Sequence, residues 1–164
     1  MSSDFTLRAA RRADAGELLR LIHALAVYEK LEDMAVGTPP LLEAALFGPR
    51  PAAEAVIAER GGRAVGFALF FTTFSTFLCK PGLYLEDLFV EPEHRGAGIG
   101  KALLRHLAGL AVERGCGRLE WRVLDWNTPS IRFYESLGAV LLPEWELVRM
   151  TQPEFTRLAG TMGG

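Results

Sequence analysis

LYLEDLFVEPEHRGAGIGKALLRHLAGLAVERG, residues 83–115, is the stretch on which the fold turns. Its first eight residues are apolar and β-prone, and they read as a strand. Regular alternation puts Tyr84, Glu86, Leu88 and Val90 on one side and Leu83, Leu85, Asp87 and Phe89 on the other. Each face then carries one carboxylate, unless a bulge re-aims them. Residues 102–115 read as a helix, with Leu103, Leu107 and Leu110 on one face and Gly115 or Gly117 as its stop. Between the two lie Gly96, Gly98 and Gly100, within five positions. A glycine in a helix costs about 1 kcal/mol relative to alanine. Three of them at a helix start imply that something must approach the backbone closely.

An anion suits that position. The first turn of a helix leaves about four N–H groups unpaired, and its dipole adds positive potential. Arg95 and Lys101 add charge. Two familiar phosphate motifs fail here. A Walker A loop needs a glycine where Arg95 stands and a hydroxyl where Ala102 stands. A dinucleotide fingerprint needs G-x-G-x-x-G, but Lys101 occupies its last glycine. What remains is R-G-x-G-x-G between a strand and a helix.

Working outward, FTLR (5–8) predicts a short strand. Residues 14–31 predict an amphipathic helix capped by Asp14 with Glu17 in a capping box, and 38–48 a second, shorter one ending at Gly48. Residues 53–60 and 63–74 predict a hairpin around Gly61-Gly62, followed by a loop over 75–82. On the other side, 117–124 predicts a strand and 130–138 a short helix capped by Asn127 and stopped by Gly138. AVLL (139–142) and WELVRM (145–150) predict closing strands, and Thr151 with Glu154 a last capping box and a tail helix. There is no repeat or obvious linker, so 1–164 is expected to form one α/β domain.

The chain carries 18 Lys and Arg against 20 Asp and Glu, a net charge of −2. That balance gives no global attraction to nucleic acid or to an anionic membrane. Cys79, Cys116 and the three histidines are scattered without metal-ligand spacing, so no metal is expected. No signal peptide or membrane span is evident, and a cytoplasmic protein is expected.

RGAGIG fits the R-x-x-G-x-G signature of the GNAT superfamily, the acetyl-CoA-dependent N-acetyltransferases, which the chain resembles over most of residues 5–150. YLEDLFV, VLDWNTPSIRFYESLGA and LRLIHALAVYEKLED are similar to its spermidine/spermine and thialysine acetyltransferase branch, and LDWN leans toward the thialysine side. The resemblance implies a mixed, mostly antiparallel sheet flanked by helices and splayed around the acetyl-CoA site. It implies that Arg95, Gly96, Ala97, Gly98, Ile99, Gly100 and Lys101 cradle the coenzyme pyrophosphate. Leu88, Phe89 and Val90 would bind the pantetheine arm through the backbone, with Phe89 or Val90 as oxyanion donor; Asn127 and Ser130 would also reach the coenzyme.

Acetyl transfer to an amine needs a neutral amine and a protonated leaving thiolate. Only about one alkyl amine in 2,500 is neutral at pH 7, so a base is useful. Glu86, on a largely apolar strand leading into the loop, is the candidate base; the resemblance has it act through water and puts Asp87 at the substrate amine. Tyr134 is the candidate general acid to the sulfur and a coenzyme contact, by the family's FY pair. Tyr28, Glu29, Glu120 and Trp121 fall in regions that line the acceptor site in that branch, and carboxylates beside aromatics suit a cation. The expected enzyme acetylates a small cationic primary amine (thialysine-like amino acid, diamine or polyamine) by direct transfer. The alternatives are a protein or peptide amine acetyltransferase and a non-catalytic coenzyme A-binding regulator. The branch is commonly dimeric, so a homodimer is expected, with WELVRM as a possible interface strand.

Overall fold

A computed structural model describes residues 4–161, which divide into two compact units at the Arg122–Val123 junction. The first holds one five-stranded sheet, with β1 (Thr6–Ala9), β2 (Glu54–Arg60), β3 (Arg63–Ser75), β4 (Lys80–Val90) and β5 (Arg118–Trp121) in spatial order β1-β2-β3-β4-β5. All pairings are antiparallel except β4 with β5, which is parallel. The parallel step needs a crossover, supplied by the glycine loop and α3 (Ile99–Glu113). The expected mixed, mostly antiparallel sheet is therefore present.

Local sequence accounts for most elements. Gly61 and Gly62 both take positive φ, 59° and 75°, as a tight hairpin turn requires. The helix α1 (Ala15–Glu29) turns Leu18, Leu21 and Leu25 inward, and α2 (Pro39–Phe47) adds Leu46. These leucines pack with Ala55, Ile57, Phe67 and Phe89 on one face of the sheet. The helix α3 buries Ile99, Leu103, Leu104 and Leu107 and packs against β3, β4 and β5. With both faces covered, Ala55–Ala58 of β2 read as a continuous apolar run rather than an alternation.

Several expectations are corrected. Asp14 does not cap α1 through its side chain, nor does Glu17 close a capping box. The Asp14 carboxylate instead accepts from the Arg11 N–H and from both terminal nitrogens of Arg8 (2.7 and 2.8 Å), while Glu17 pairs with Arg20. A bidentate guanidinium is the stronger partner, and it draws the carboxylate toward β1. The loop predicted over 75–82 shrinks to 76–79, because Pro81 and Gly82 belong to β4. The strand predicted over 117–124 keeps only Arg118–Trp121, and α3 starts three residues earlier than its apolar spacing indicated.

The Arg8 hydrogen bonds hold Asp14 below the ordinary aspartate pKa, against an opposing contribution from burial. Stability from this pair is present above the unfolded-state pKa, about 3.9, and is lost as pH falls through the lower folded value. Urea unfolding at pH 7 and pH 3 should therefore show a smaller stability difference for Asp14→Asn than for the parent protein. An unchanged difference would remove the pair from the acid-stability balance.

In the second unit, α4 (Thr128–Ser136) begins at Asn127, whose side-chain oxygen accepts from the Ser130 N–H at 3.4 Å. It ends before Gly138, at φ 92°. The helix α5 (Gln152–Thr161) follows Thr151, whose hydroxyl donates to the Glu154 carboxylate. The predicted strands 139–142 and 145–150 are absent: no residue of either joins a ladder. Their β-prone composition had no paired partner, and propensity alone does not make a strand.

Candidate active site

The decisive feature of the first unit is a register shift in β4. Leu69 of β3 faces Asp87 and Phe70 faces Leu85, leaving Glu86 as an extra, unpaired residue. This bulge overturns the simple alternation. Leu83, Leu85, Leu88 and Val90 now share one face; Tyr84, Asp87 and Phe89 share the other. Asp87 thus turns to the face covered by α1, where Tyr28 packs against the apolar cluster. Glu86 is exposed, with Arg122 Nη2 3.8 Å from its Oε2.

Half-burial of Asp87 drives its carboxyl up to about 6, helped by the negative charges of Glu86 and Glu29 and opposed by Arg122. Burial also raises Glu29. The Arg122 guanidinium lies 5.7 Å from the centre of the Tyr84 ring, which stacks on Phe71 at 5.1 Å. The β5 register sets Glu120 beside Tyr84, on the Asp87 face, and Trp121 beside Leu85, on the opposite face. The two residues expected together at the acceptor site therefore point apart. Arg122 was not anticipated, although alternation in RLEWR (118–122) sets it on the face of Glu120.

Beyond Leu85 the sheet opens. β5 pairs with β4 only over Gly82–Leu85, whereas β4 stays paired with β3 to Val90. Past that edge the chain turns through the glycine loop. Gly96 and Gly98 take positive φ, 84° and 82°, and a Cβ built on either would meet nothing within 4 Å. The αL conformation, rather than crowding by the protein, is what calls for glycine there. Gly98 is the N-cap of α3 and has no side chain to cap with; Ala102 makes the first i to i−4 bond, to the Gly98 carbonyl. The preceding N–H groups at the helix start are the donors an anion would use. Lys101 is exposed on that first turn.

Arg95 makes contacts that the sequence did not announce. Its Nε donates to the Val90 carbonyl at 2.9 Å, and its guanidinium lies over the Tyr28 ring at 4.9 Å and near Phe89 at 5.7 Å. Glu91, buried at the loop's start, was also not singled out. Its Oε1 accepts from Arg20 of α1 and Arg63 of β3, and its N–H donates to the Val65 carbonyl. The loop is thereby tied to α1 and the β2–β3 hairpin.

Asn127, Ser130 and Tyr134 belong to the second unit. Asn127 is buried; Ser130 and Tyr134 are half-buried, and the Tyr134 ring lies 5.5 Å from that of Phe133.

A sheet opened beside its fourth strand, with a glycine loop leading into the crossover helix, is the architecture that the acetyltransferase resemblance implies, and comparison with known proteins agrees. Residues 19–139 match the Acetyltransferase (GNAT) family, and the chain belongs to it. It is an N-acetyltransferase. It is 37% identical to the thialysine N-epsilon-acetyltransferase of Bos taurus, over 94% of this chain and 96% of that one. It is 32% identical to an L-ornithine N5-acetyltransferase of Arabidopsis thaliana, over 88% and 83%. Among solved structures, an integron cassette protein from V. cholerae superposes with a TM-score of 0.80 at 28% identity, covering 95% of this chain and 98% of that chain. Enzymes of this family use acetyl-CoA as co-substrate.

Proposed function

We propose that this enzyme transfers the acetyl group of acetyl-CoA to the primary amine of a small cationic acceptor, a thialysine-like or ornithine-like amino acid or a diamine. The observation that carries this reading is the Asp87 face. Three carboxylates, Asp87, Glu86 and Glu29, interact there beside the open end of β4. Glu120 adds a fourth to the same sheet face, and Tyr28 and Tyr84 supply rings. Such a set attracts an ammonium group and pays for its desolvation with charge. The named substrates of the relatives above, thialysine and L-ornithine, are amines of this kind.

The residues present fit the coenzyme. The backbone N–H groups from Gly96 to Lys101 would hold its pyrophosphate, with the Lys101 ammonium beside them. The β4 edge that β5 leaves uncovered at Leu88, Phe89 and Val90, where the Val90 carbonyl already accepts from Arg95, would take the pantetheine arm through its remaining backbone groups, and an N–H of Phe89 or Val90 would polarise the thioester carbonyl. A main-chain donor held in a sheet is preorganised for that task. By the resemblance, Asn127 and Ser130 of the second unit would also reach the coenzyme. When bound, acetyl-CoA supplies an activated acyl group as a thioester. We assign the base to Asp87, ionised above about pH 6, in place of Glu86, the base that the sequence suggested, because Glu86 is exposed beside Arg122; Glu86 would keep the local field negative. By the resemblance, Tyr134 of the second unit would be the general acid to the leaving sulfur. The 1–164 chain acts as one acetyltransferase domain, without a metal.

Thiol release from acetyl-CoA with thialysine, lysine, ornithine, spermidine, putrescine and a lysine-bearing peptide tests this reading. Saturable turnover on a free amino acid or diamine is expected. Turnover on the peptide alone would make the chain a protein acetyltransferase. Tyr134→Phe should lower kcat on the order of 100-fold while leaving the acetyl-CoA Kd nearly unchanged. Equal loss of both would assign Tyr134 to binding.

We further infer a cytoplasmic homodimer. Both cysteines are free thiols, which suits a reducing compartment. No helix among the described residues is long and apolar enough to cross a membrane. Val140, Leu142, Trp145, Leu147 and Val148 are exposed in one short stretch, an apolar density that suits a partner subunit. A monomer mass by light scattering at micromolar concentration would refute the dimer.

A further inference from the structure

We propose that Arg122 sets the acceptor specificity by binding an α-carboxylate, so that the substrate is a free amino acid with a side-chain amine rather than a diamine or polyamine. This rests on the acceptor site proposed above. Arg122 is the first residue after β5, where the sheet has begun to open. Alternation from Glu120 puts it on the Asp87 face, and its guanidinium lies 5.7 Å from the centre of the Tyr84 ring. Glu86 Oε2 lies 3.8 Å from its Nη2, beyond hydrogen-bond distance. None of its N–H groups donates a hydrogen bond to another described residue. Other arginines of the chain are committed. Arg8 grips Asp14 through two nitrogens at 2.7 and 2.8 Å, and Arg114 grips Glu54 at 2.7 and 2.9 Å. Arg122 instead keeps its planar fork open, with its side chain 45% exposed. Such a fork matches a carboxylate with two parallel hydrogen bonds.

Charge balance favours an amino acid as the ligand. Asp87 feels the carboxylates of Glu86 and Glu29, and Arg122 is the cation that acts against them. A diamine brings two ammonium groups and nothing for the guanidinium, which repels it. A basic amino acid brings the same two ammonium groups and one carboxylate. With its side-chain ammonium at Asp87, its head group reaches the exposed pair of Glu86 and Arg122. The α-ammonium and α-carboxylate are close neighbours, and so are the Glu86 carboxylate and the Arg122 guanidinium. Opposite charges then meet at both positions. The fold has little need of this arginine. The Tyr84 ring beneath it is already stacked on Phe71 at 5.1 Å.

Ornithine with putrescine, and lysine with cadaverine, are matched pairs: each diamine is the amino acid without its carboxylate. Rates are compared at pH 8, well above the Asp87 value of about 6, so that loss of the Arg122 charge acts on binding rather than on the base. The parent kcat/KM should favour the amino acid of each pair by about tenfold or more. Arg122→Leu should lower kcat/KM for ornithine and lysine on the order of 10- to 100-fold, mostly through KM, the size of a lost charge-assisted bidentate contact. The same substitution should raise kcat/KM for the diamines roughly two- to threefold, since a repelling charge is gone. Lysinamide, which lacks the carboxylate charge, should respond as cadaverine does. An equal loss on both members of a pair would overturn the proposal. So would a parent enzyme that prefers the diamine, or an ornithine KM that Arg122→Leu leaves unchanged; in each case the acetyltransferase reading stands. Calorimetric titration of ornithine and putrescine into the whole chain, saturated with coenzyme A, reads the same preference without turnover. If no amine were acetylated, the function proposed above would fail. Ornithine binding weakened by Arg122→Leu would then still uphold the carboxylate site, and no binding, or binding that the substitution does not alter, would overturn it.

Discussion

Asp87→Asn is expected to lower kcat/KM on the order of 100-fold and to remove the acid limb of its pH profile. The parent protein should gain activity as pH rises through about 6, where Asp87 ionises. Burial is the main reason for that value, since a carboxylate drawn out of water is harder to charge. Glu86 and Glu29 push it in the same direction, and Arg122 pulls back. Glu86→Gln removes one of the repelling charges. Its acid limb should move to lower pH, with a smaller loss of rate. If instead Glu86→Gln erased the limb and Asp87→Asn kept it, the base would be Glu86. Stability supplies an independent sign. The folded pKa of Asp87 lies above its ordinary value of 3.8, so its contribution is fully present below that value and is lost as pH rises through about 6. The asparagine variant should therefore be more stable than the parent at pH 8, by on the order of 2–3 kcal/mol at 1.36 kcal/mol per pH unit. Lower activity in a more stable protein would separate a chemical role from damage to the fold.

Phe67→Ala should destabilise the chain by about 3–5 kcal/mol, read as a lower urea midpoint with an unchanged slope. Phe67 is fully buried in the middle of β3 and pairs with Phe89 of β4 and Ile57 of β2. Its ring lies in the cluster where Leu18, Leu21 and Leu25 of α1 meet the sheet. Truncation removes a large apolar side chain and leaves a void that α1 and β3 can only partly close. The penalty then includes the transfer energy and the unfilled space. Because Phe89, the cross-strand partner of Phe67, belongs to the edge proposed to take the pantetheine arm, surviving activity should fall as well. Phe67→Leu fills more of the volume and should cost much less. A Phe67→Ala cost below about 1 kcal/mol would mean that α1 is not seated on the sheet as described.

Local signals were legible where residues a few positions apart decide the outcome. The Gly61-Gly62 turn, the leucine spacing of α1 and α3, the Asn127 cap and the R-G-x-G-x-G loop each need only neighbouring chain. From these the strand–loop–helix unit and the acetyltransferase resemblance could be read, and from the resemblance a proposed coenzyme half of the candidate site. The acceptor half was not legible. Which way Asp87 faces depends on one extra residue in β4, and the bulge at Glu86 exists only against the register of β3. The pairings Arg122 with Glu86, Arg95 with Tyr28 and Glu91 with Arg20 and Arg63 join residues from different elements. No periodicity announces them. Residues 139–150 show the same limit from the other side, being strand-like in composition yet unpaired in the fold. Sequence by itself determined the helices, the hairpin and the glycine loop, because those follow from backbone preference and apolar period. Only the tertiary structure decided which carboxylate is buried and what Arg95 holds, because both depend on strand register and on contacts between distant segments.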